Sequence, residues 1–244
     1  MADKTLAEEK IIIALDVGTK PEALALAERL PDARLFKIGM ELFTAEGPAL
    51  LRDIAGLGKK VFLDLKYHDI PNTAAGAVRS ASRLGVHMLT LHASGGREML
   101  GRAVEAARDE AARSGRPSPA LLAVTVLTSL KDDQLREVGC GGSVADQVLR
   151  LAALARQAGV DGVVCSPHEI EIIKREFGAE FLVVTPGIRP EWAAAQDQKR
   201  VMTPAEAVAK GANYLVIGRP VTAAASPAEA FARIVEELRS FTTA

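Results

Sequence analysis

The feature that most constrains this sequence is a repeat of short apolar runs, each followed by a longer segment rich in Ala, Leu, Glu and Arg. Such runs are too apolar for a sheet with one face in water, and are typical of parallel strands covered on both faces. The predicted strands are Ile11–Asp16, Arg34–Gly39, Lys60–Lys66, His87–His92, Leu121–Leu127, Asp161–Cys165, Phe181–Thr185 and Tyr214–Gly218. Their number and spacing predict an α/β fold of the (β/α)8 TIM barrel type.

Helix starts are marked by a Ser or Thr, a Pro and a Glu close together. The N-cap oxygen and the Glu side chain satisfy backbone amides that the first helical turn leaves unpaired, and Pro fits at the first helical position. The segments are Ser166-Pro167-His168-Glu169, Thr203-Pro204-Ala205-Glu206, Ser226-Pro227-Ala228-Glu229 and the looser Thr19-Lys20-Pro21-Glu22. All but the third follow a predicted strand closely, where a βα unit needs a helix to begin.

The length of 244 residues and the apolar content of 48% suit a single barrel domain over residues 1–244. A doubly wound open sheet is the rival architecture. It usually opens with a glycine-rich phosphate loop after the first strand. Here the first strand ends Leu15-Asp16-Val17-Gly18-Thr19, without that loop, so the barrel is favoured.

Composition and short sequence patterns indicate which partners the protein can bind and where in the cell it is found. The net charge of -1 provides no general attraction to nucleic acid or to an anionic membrane. The polar segment Met1–Lys10 does not resemble a signal peptide, and no apolar run approaches the roughly 18 residues of a membrane helix, so we expect a cytoplasmic protein. Cys140 and Cys165 lack metal-ligand spacing and are predicted to be free thiols. The histidines form no H-E-x-x-H pattern, and we expect no metal site.

Charged residues fall where the barrel strands end, which is where this fold carries its chemistry. Asp16, Lys37, Asp64 and Lys66 lie at the ends of the first three strands, and Asp69 follows in a loop. Alternation along the third strand predicts that Asp64 and Lys66 share the inward face. A lysine flanked by carboxylates is expected to remain an ammonium, which suits a proton donor rather than a Schiff base. A purely structural ion-pair network is less favoured, because buried ion pairs rarely stabilise more than apolar packing.

A second group follows the last two strands. Arg189 and Gln198 come after the seventh strand, and Gly218 and Arg219 end the eighth, which is the usual phosphate site of this fold. The glycine lets backbone amides approach an anion, and arginines supply charge-assisted hydrogen bonds. The polar stretch around Trp192 is predicted to be a mobile lid over the phosphate.

Other polar residues allow more than one interpretation. Thr128 and Ser129 follow the fifth strand and suit either a simple turn or contact with a polar ring. His92 opens a glycine-rich loop and is as well explained by a buried histidine as by a participant in the chemistry.

Several segments together closely resemble the orotidine 5'-phosphate decarboxylase family. The most specific is Asp64-Leu65-Lys66-Tyr67-His68-Asp69-Ile70-Pro71-Asn72-Thr73. The others are Ala14-Leu15-Asp16, Phe36-Lys37-Ile38-Gly39, His92-Ala93-Ser94-Gly95-Gly96, Leu127-Thr128-Ser129, Thr185-Pro186-Gly187-Ile188-Arg189, Asp197-Gln198-Lys199-Arg200 and Val216-Ile217-Gly218-Arg219-Pro220. They occur in the family's order, from the first strand to the eighth.

The resemblance implies decarboxylation of orotidine 5'-phosphate without a cofactor, in a homodimer. Lys66 would protonate C6 of the pyrimidine, and Asp64 would lie near the substrate carboxylate. The remaining implied roles are Asp16 and Lys37 at the ribose, Asp69 and Thr73 at the neighbouring subunit's site, Thr128 and Ser129 at the base, and Arg189, Gln198, Gly218 and Arg219 at the phosphate.

Two other functions compete with this one. Sugar-phosphate enzymes such as 3-hexulose-6-phosphate synthase share the D-x-K-x-x-D framework but use magnesium to stabilise an enediolate. A non-catalytic module that binds a phosphate ligand would explain the arginines, but it would not explain Lys66 between two carboxylates.

Overall fold

The computed structural model describes residues 6–193 and 202–242. Its strands are β1 Ile11–Ala14, β2 Leu35–Gly39, β3 Lys60–Tyr67, β4 Met88–His92, β5 Ala120–Val124, β6 Gly162–Val164, β7 Leu182–Pro186 and β8 Tyr214–Ile217. They follow one another in chain order around a closed barrel, and the register of each recorded pair is parallel. The predicted (β/α)8 barrel is therefore confirmed.

The helices alternate with the strands. They are α1 Lys20–Glu28, α2 Met40–Glu46, α3 Pro48–Gly56, α4 Pro71–Arg83, α5 Gly96–Ser114, α6 Asp132–Glu137, α7 Val144–Gln157, α8 Ile170–Phe177, α9 Pro204–Ala209, α10 Arg219–Thr222 and α11 Pro227–Thr242. No helix in the described part of the chain is long and apolar enough to span a membrane.

The predicted helix starts are confirmed by hydrogen bonds. The N-cap amide donates to the glutamate three residues later at Thr19–Glu22 (3.1 Å) and Thr203–Glu206 (2.8 Å), where α1 and α9 begin. The same bond forms at Ser166–Glu169 (2.7 Å), where a 3-10 helix, Pro167–Glu169, leads into α8. α11 begins at Pro227, as its sequence predicts. Local sequence therefore fixes where these helices begin.

Strand ends differ from the prediction by up to three residues. β5 was predicted to reach Leu127 but ends at Val124. The amide of Thr125 still donates to the carbonyl of Val164 (3.3 Å), and the chain then turns away from the sheet. Apolar composition continues past this point, so it could not mark the strand end.

The described residues form two compact units, one within Met1–Asp64 and Thr185–Ala244 and the other within Leu65–Val184. In the first, Ile11, Ile12 and Ile13 of β1 are all fully buried, as expected of a strand covered on both faces. In the second, α4 packs against α5. The prediction of one domain over the whole chain stays a prediction.

Candidate active site

Lys37 lies between two carboxylates near the carboxyl ends of β1, β2 and β3. Its Nζ is 3.0 Å from Oδ1 of Asp16 and 3.8 Å from Oδ2 of Asp64. The side chains of Lys37 and Asp64 are 13% and 14% exposed, whereas that of Asp16 is 68% exposed. The structure thus brings together three of the predicted residues, in a cluster with two of its members largely withdrawn from water.

Strand register explains how this cluster forms. Lys37 pairs with Ala14, and Gly39 pairs with Asp64. Asp16 lies two residues beyond Ala14, so both carboxylates are nearer the strand ends than Lys37, whose long side chain extends towards them. A Cβ at Gly39 would be 3.2 Å from Nζ of Lys37, tighter than ordinary contact. The glycine therefore leaves room for the ammonium.

This arrangement is costly if its only role is structural. Replacing a buried ion pair with apolar residues of similar volume is often neutral or stabilising. Asp16 is mostly exposed, so one of the two carboxylates can meet a ligand without leaving the cluster. The geometry favours a site that binds polar groups of a substrate.

Lys66 has a strained backbone. Its φ is 52°, and within the described residues it is the single non-glycine residue with positive φ. Such conformations cost about 1–3 kcal/mol and are concentrated at functional sites. Strand alternation does not extend through a left-handed residue, so the prediction that Asp64 and Lys66 point the same way stays a prediction. The Lys66 amide donates to Oγ1 of Thr90 at 2.9 Å, a contact that sequence analysis did not predict.

The segment after β3 leads directly into a helix. Oδ1 of Asp69 accepts a hydrogen bond from the amide of Ile70 (2.7 Å), and Pro71 begins α4. Asp69 and Thr73 are exposed, and Ile70 is 68% exposed. Burial raises the pKa of the Tyr67 phenol above its ordinary value, so this group stays protonated at neutral pH.

The loops after β3 and β4 meet through two histidines. The rings of His68 and His92 have centroids 5.4 Å apart. A Cβ at Gly95 would overlap the sulfur of Met99 and would lie 3.2 Å from the His68 ring. The glycine-rich segment therefore allows close packing, in agreement with its interpretation as a backbone device.

Thr128 and Ser129 are exposed in a turn that the amide of Leu130 closes with the carbonyl of Leu127 (2.9 Å). Thr128 lines a cavity of about 570 Å³. Lys131, Arg136 and His168 also line it. α6 lies in this loop and was not predicted, because six residues of polar sequence give little helical periodicity.

A second cavity, of about 300 Å³, lies beside the ends of β7 and β8. Arg189, Trp192 and Arg219 line it. The amide of Arg189 donates to the carbonyl of Met202 (3.1 Å), which fixes the start of the β7 loop. Gln198 and most of the predicted lid lie outside the described residues.

Two residues that line this second cavity, Arg219 and Trp192, are positioned by contacts with neighbouring groups. The carbonyl of Gly218 accepts hydrogen bonds from the amides of Val221 (2.9 Å) and Thr222 (3.0 Å), which places Arg219 at the start of α10. Cζ of Arg233 on α11 lies 4.3 Å from the centroid of the Trp192 ring. Sequence analysis missed this pairing, because neither residue carries a motif.

Neither Cys140 nor Cys165 forms a disulfide in the described part of the chain, and Cys165 is buried. In the described ranges, no group of three or more His, Cys, Asp or Glu residues could hold a metal ion. The expected absence of a metal stays a prediction.

Comparison with known proteins gives consistent matches. Residues 9–234 match the model of the family described as orotidine 5'-phosphate decarboxylase / HUMPS. The chain is 55% identical over 234 residues to the orotidine 5'-phosphate decarboxylase of Moorella thermoacetica, covering 95% of this chain and 93% of that one. A relative of the same name from Paramagnetospirillum magneticum is 54% identical over 229 residues, covering 93% and 97%.

A solved structure agrees with the fold. The crystal structure of orotidine 5'-phosphate decarboxylase from Lactobacillus acidophilus is 39% identical and has a TM-score of 0.84. The match covers 93% of this chain and 98% of that chain.

Proposed function

The chain belongs to the orotidine 5'-phosphate decarboxylase / HUMPS family and is a carboxy-lyase, and from this premise we propose that it converts orotidine 5'-phosphate to uridine 5'-phosphate and CO2 without a cofactor. This reaction is the last step of de novo UMP synthesis. The proposal keeps the cytoplasmic location expected from the sequence.

The observation that carries the proposal is Lys37 held between Asp16 and Asp64. A sugar bound to orotate presents ribose hydroxyls, which such a cluster can both donate to and accept from. By the family resemblance, Asp16 and Lys37 contact the ribose, and Asp64 lies beside the substrate carboxylate. Lys66 follows Asp64 by two residues in β3, close in sequence to the same cluster.

The proposed step breaks the bond between C6 and the carboxylate carbon. CO2 leaves, and the electron pair stays at C6. The ammonium of Lys66 donates a proton to C6 and becomes a neutral amine, which regains a proton from solvent. A preorganised ammonium stabilises charge where it develops, and this is commonly the largest single contribution to catalysis.

The rest of the substrate has proposed contacts in the loops. Thr128 and Ser129 meet the base, and the first borders a cavity large enough for a ring. Arg189, Gln198, Gly218 and Arg219 hold the phosphate. Both arginines border one cavity, which supports this assignment. Phosphate binding far from C6 can raise the chemical rate as well as the affinity.

The active unit is proposed to be a homodimer in which Asp69 and Thr73 reach the neighbouring subunit's site. Their exposure, together with that of Ile70, supports the proposal, because an apolar side chain 68% exposed beside a catalytic motif suits an interface. Mixing inactive Lys66→Ala and Asp69→Ala proteins tests it. Mixed dimers contain one intact site and should recover activity; failure to recover it under conditions of subunit exchange would contradict shared sites.

The central experiment follows the loss of orotidine 5'-phosphate absorbance with purified protein, with and without a chelator. We expect conversion to uridine 5'-phosphate that resists the chelator. Lys66→Ala should lose at least about 10³-fold in kcat, because it removes a group used in the transition state. Lys60→Ala is the matched control, since Lys60 is an exposed lysine at the opposite end of β3.

Other outcomes point to other functions. Activity on a sugar phosphate that requires magnesium would assign the chain to the magnesium-dependent branch of its family. Binding of the nucleotide with no chemistry by the wild-type protein would make it a binding module.

A further inference from the structure

Thr90 is a buried polar residue within an apolar strand. It lies in the middle of β4, is 0% exposed, and sits between two equally buried neighbours, Leu89 and Leu91. A hydroxyl in such surroundings destabilises the fold unless it is hydrogen-bonded. A valine would fill nearly the same space without that requirement, so the hydroxyl itself needs an explanation.

The hydroxyl of Thr90 contacts the backbone of the proposed proton donor. Its Oγ1 accepts the hydrogen bond of the Lys66 amide at 2.9 Å. In a parallel sheet, such an amide usually donates to a carbonyl of the neighbouring strand. Because threonine is β-branched, its χ1 angle is restricted in a strand, so this acceptor has a well-defined position.

The contact occurs where the backbone is strained. Lys66 has a φ of 52°, in the left-handed region that L residues rarely adopt. Such a conformation persists only where the surroundings hold it. The φ and ψ angles of Lys66 set the direction in which its side chain leaves the chain. A group that fixes these angles therefore fixes the starting direction of the ammonium.

We propose that Thr90 is a positioning residue for decarboxylation: its hydroxyl holds Lys66 in the left-handed conformation that aims the ammonium at the reacting carbon. The inference rests on the proposed function for its catalytic consequence. Its structural premise, the strained backbone, is independent of the substrate.

The chain offers a matched comparison. Thr125 is also a threonine buried in this unit, 4% exposed, but its Oγ1 donates to the carbonyl of Val164 at 3.2 Å. Thr125→Val and Thr90→Val make the same isosteric change and each remove one buried hydroxyl. Only Thr90→Val removes a contact with Lys66.

The activity experiment measures kcat, KM and the melting temperature of Thr90→Val, Thr90→Ser and Thr125→Val. We expect Thr90→Val to lower kcat by about 10²-fold, the cost of misplacing a catalytic group by roughly 1 Å, with KM unchanged within about twofold. Thr90→Ser, which keeps the acceptor, should recover most of kcat. Thr125→Val should keep kcat within about twofold, even if it melts at a lower temperature.

A purely structural role for Thr90 gives a different result. It would lower the melting temperature of Thr90→Val while leaving kcat within about twofold of wild type, and that outcome overturns the inference. If Thr90→Val does not fold, Thr90→Ala is measured at low temperature with the same two outcomes. An inactive wild-type protein would instead reject the proposed function.

The strain is tested without substrate. Glycine adopts positive φ readily, so Lys66→Gly should melt at a higher temperature than Lys66→Ala. The usual order in a strand is the reverse, because glycine loses more conformational entropy on folding. A lower melting temperature for Lys66→Gly would remove the structural premise, whatever the activity data show.

Discussion

Lys37 and Lys59 belong to the same compact unit but lie at opposite ends of the strands, and they use their charge differently. The ammonium of Lys59 precedes β3 and donates to three backbone carbonyls, those of Leu30 (3.0 Å), Pro31 (2.7 Å) and Ala33 (2.9 Å). Lys37, at the carboxyl ends, faces two carboxylates instead. An ammonium has three donors, so Lys59 has none left for a ligand.

The difference separates a stabilising lysine from one that we propose to be functional. Burial, followed by the nearby Arg34, lowers the pKa of Lys59, although Asp32 acts in the opposite direction. The charge at Lys59 is therefore tolerated because it fastens the chain between α1 and β2. In this fold, the carboxyl ends of the strands carry chemistry and the amino ends carry stability. The positions of the two lysines follow that division.

The strongest test of this comparison is Lys37→Met. The substitution keeps the length of the side chain but leaves Asp16 and Asp64 without the cation between them. We expect kcat/KM for orotidine 5'-phosphate to fall by about 10³-fold or more. The melting temperature should fall as well, because the largely buried carboxylate of Asp64 loses a nearby cation. Lys59→Met is the matched control and should keep its kcat within about twofold. Equal losses of activity in the two variants would break the comparison.

A smaller effect is expected at the cavity that Arg189 and Arg219 share. Arg219→Ala removes a charge-assisted contact with the proposed phosphate, worth about 1.5–3 kcal/mol, so KM should rise by about 10- to 100-fold. Steady-state kinetics measures this change. Arg239→Ala provides the control, because Arg239 pairs with Glu8 (3.3 Å) on the helix surface. An unchanged KM for Arg219→Ala would remove Arg219 from the site.

At the amino ends, the expected effect is on stability. Lys59→Met removes the ammonium donor from three carbonyls, of which only that of Leu30 keeps a recorded backbone donor, the amide of Ala33 (3.2 Å). The substitution should lower the free energy of unfolding by about 1.5–3 kcal/mol. The melting temperature would then fall by about 3–10 °C, as followed by circular dichroism. Lys60→Met, at an exposed neighbouring position, should shift it far less. If both variants melt alike, the carbonyl contacts of Lys59 contribute little.

The sequence predicts the charged residues at the carboxyl ends of the strands better than it predicts the residues that hold them in place. Charges at strand ends identify Asp16, Lys37 and Asp64 because such residues are unexpected next to an apolar strand. Gly39 and Thr90 could not be found this way. The space that Gly39 leaves for the Lys37 ammonium depends on the register between strands. The hydrogen bond that Thr90 accepts depends on which backbone amide lies opposite it. The composition and periodicity of one strand do not show which residue of another strand lies opposite it.

Thr90 did carry one signal. It is the polar residue in the apolar run Met88-Leu89-Thr90-Leu91, and a hydroxyl in a strand covered on both faces needs a partner. That rule predicts that a partner exists but does not identify it. Strand ends were missed for a related reason. The apolar run that contains β5 continues through Leu127, although the ladder stops at Val124.

The smallest predicted effect concerns a charge of the scaffold, Glu110 on α5. Its side chain is 5% exposed and accepts hydrogen bonds from Arg113 and from Arg83 of α4, the latter at 3.1 Å. Burial alone would raise the pKa of Glu110, but the hydrogen bonds and charges of Arg113 and Arg83 outweigh it and lower the pKa below the ordinary 4.5. The folded protein therefore binds a proton at this site less readily than the unfolded chain.

The lowered pKa of Glu110 determines how its contribution to the free energy of unfolding changes with pH. Because the folded pKa is depressed, the contribution of Glu110 is fully present above pH 4.5, the unfolded value, and is lost as the pH falls through the folded pKa. Glu110→Gln should therefore melt below wild type at neutral pH, and the difference should shrink on acidification. Glu105→Gln is the control, since Glu105 forms an exposed pair with Arg102 that should contribute little. A difference that grows at low pH would mean that Glu110 takes up a proton more readily in the folded state than in the unfolded chain. Its charge would then destabilise the fold, as expected of the charges at the carboxyl ends of the strands, and would not stabilise it as the charge of Lys59 does.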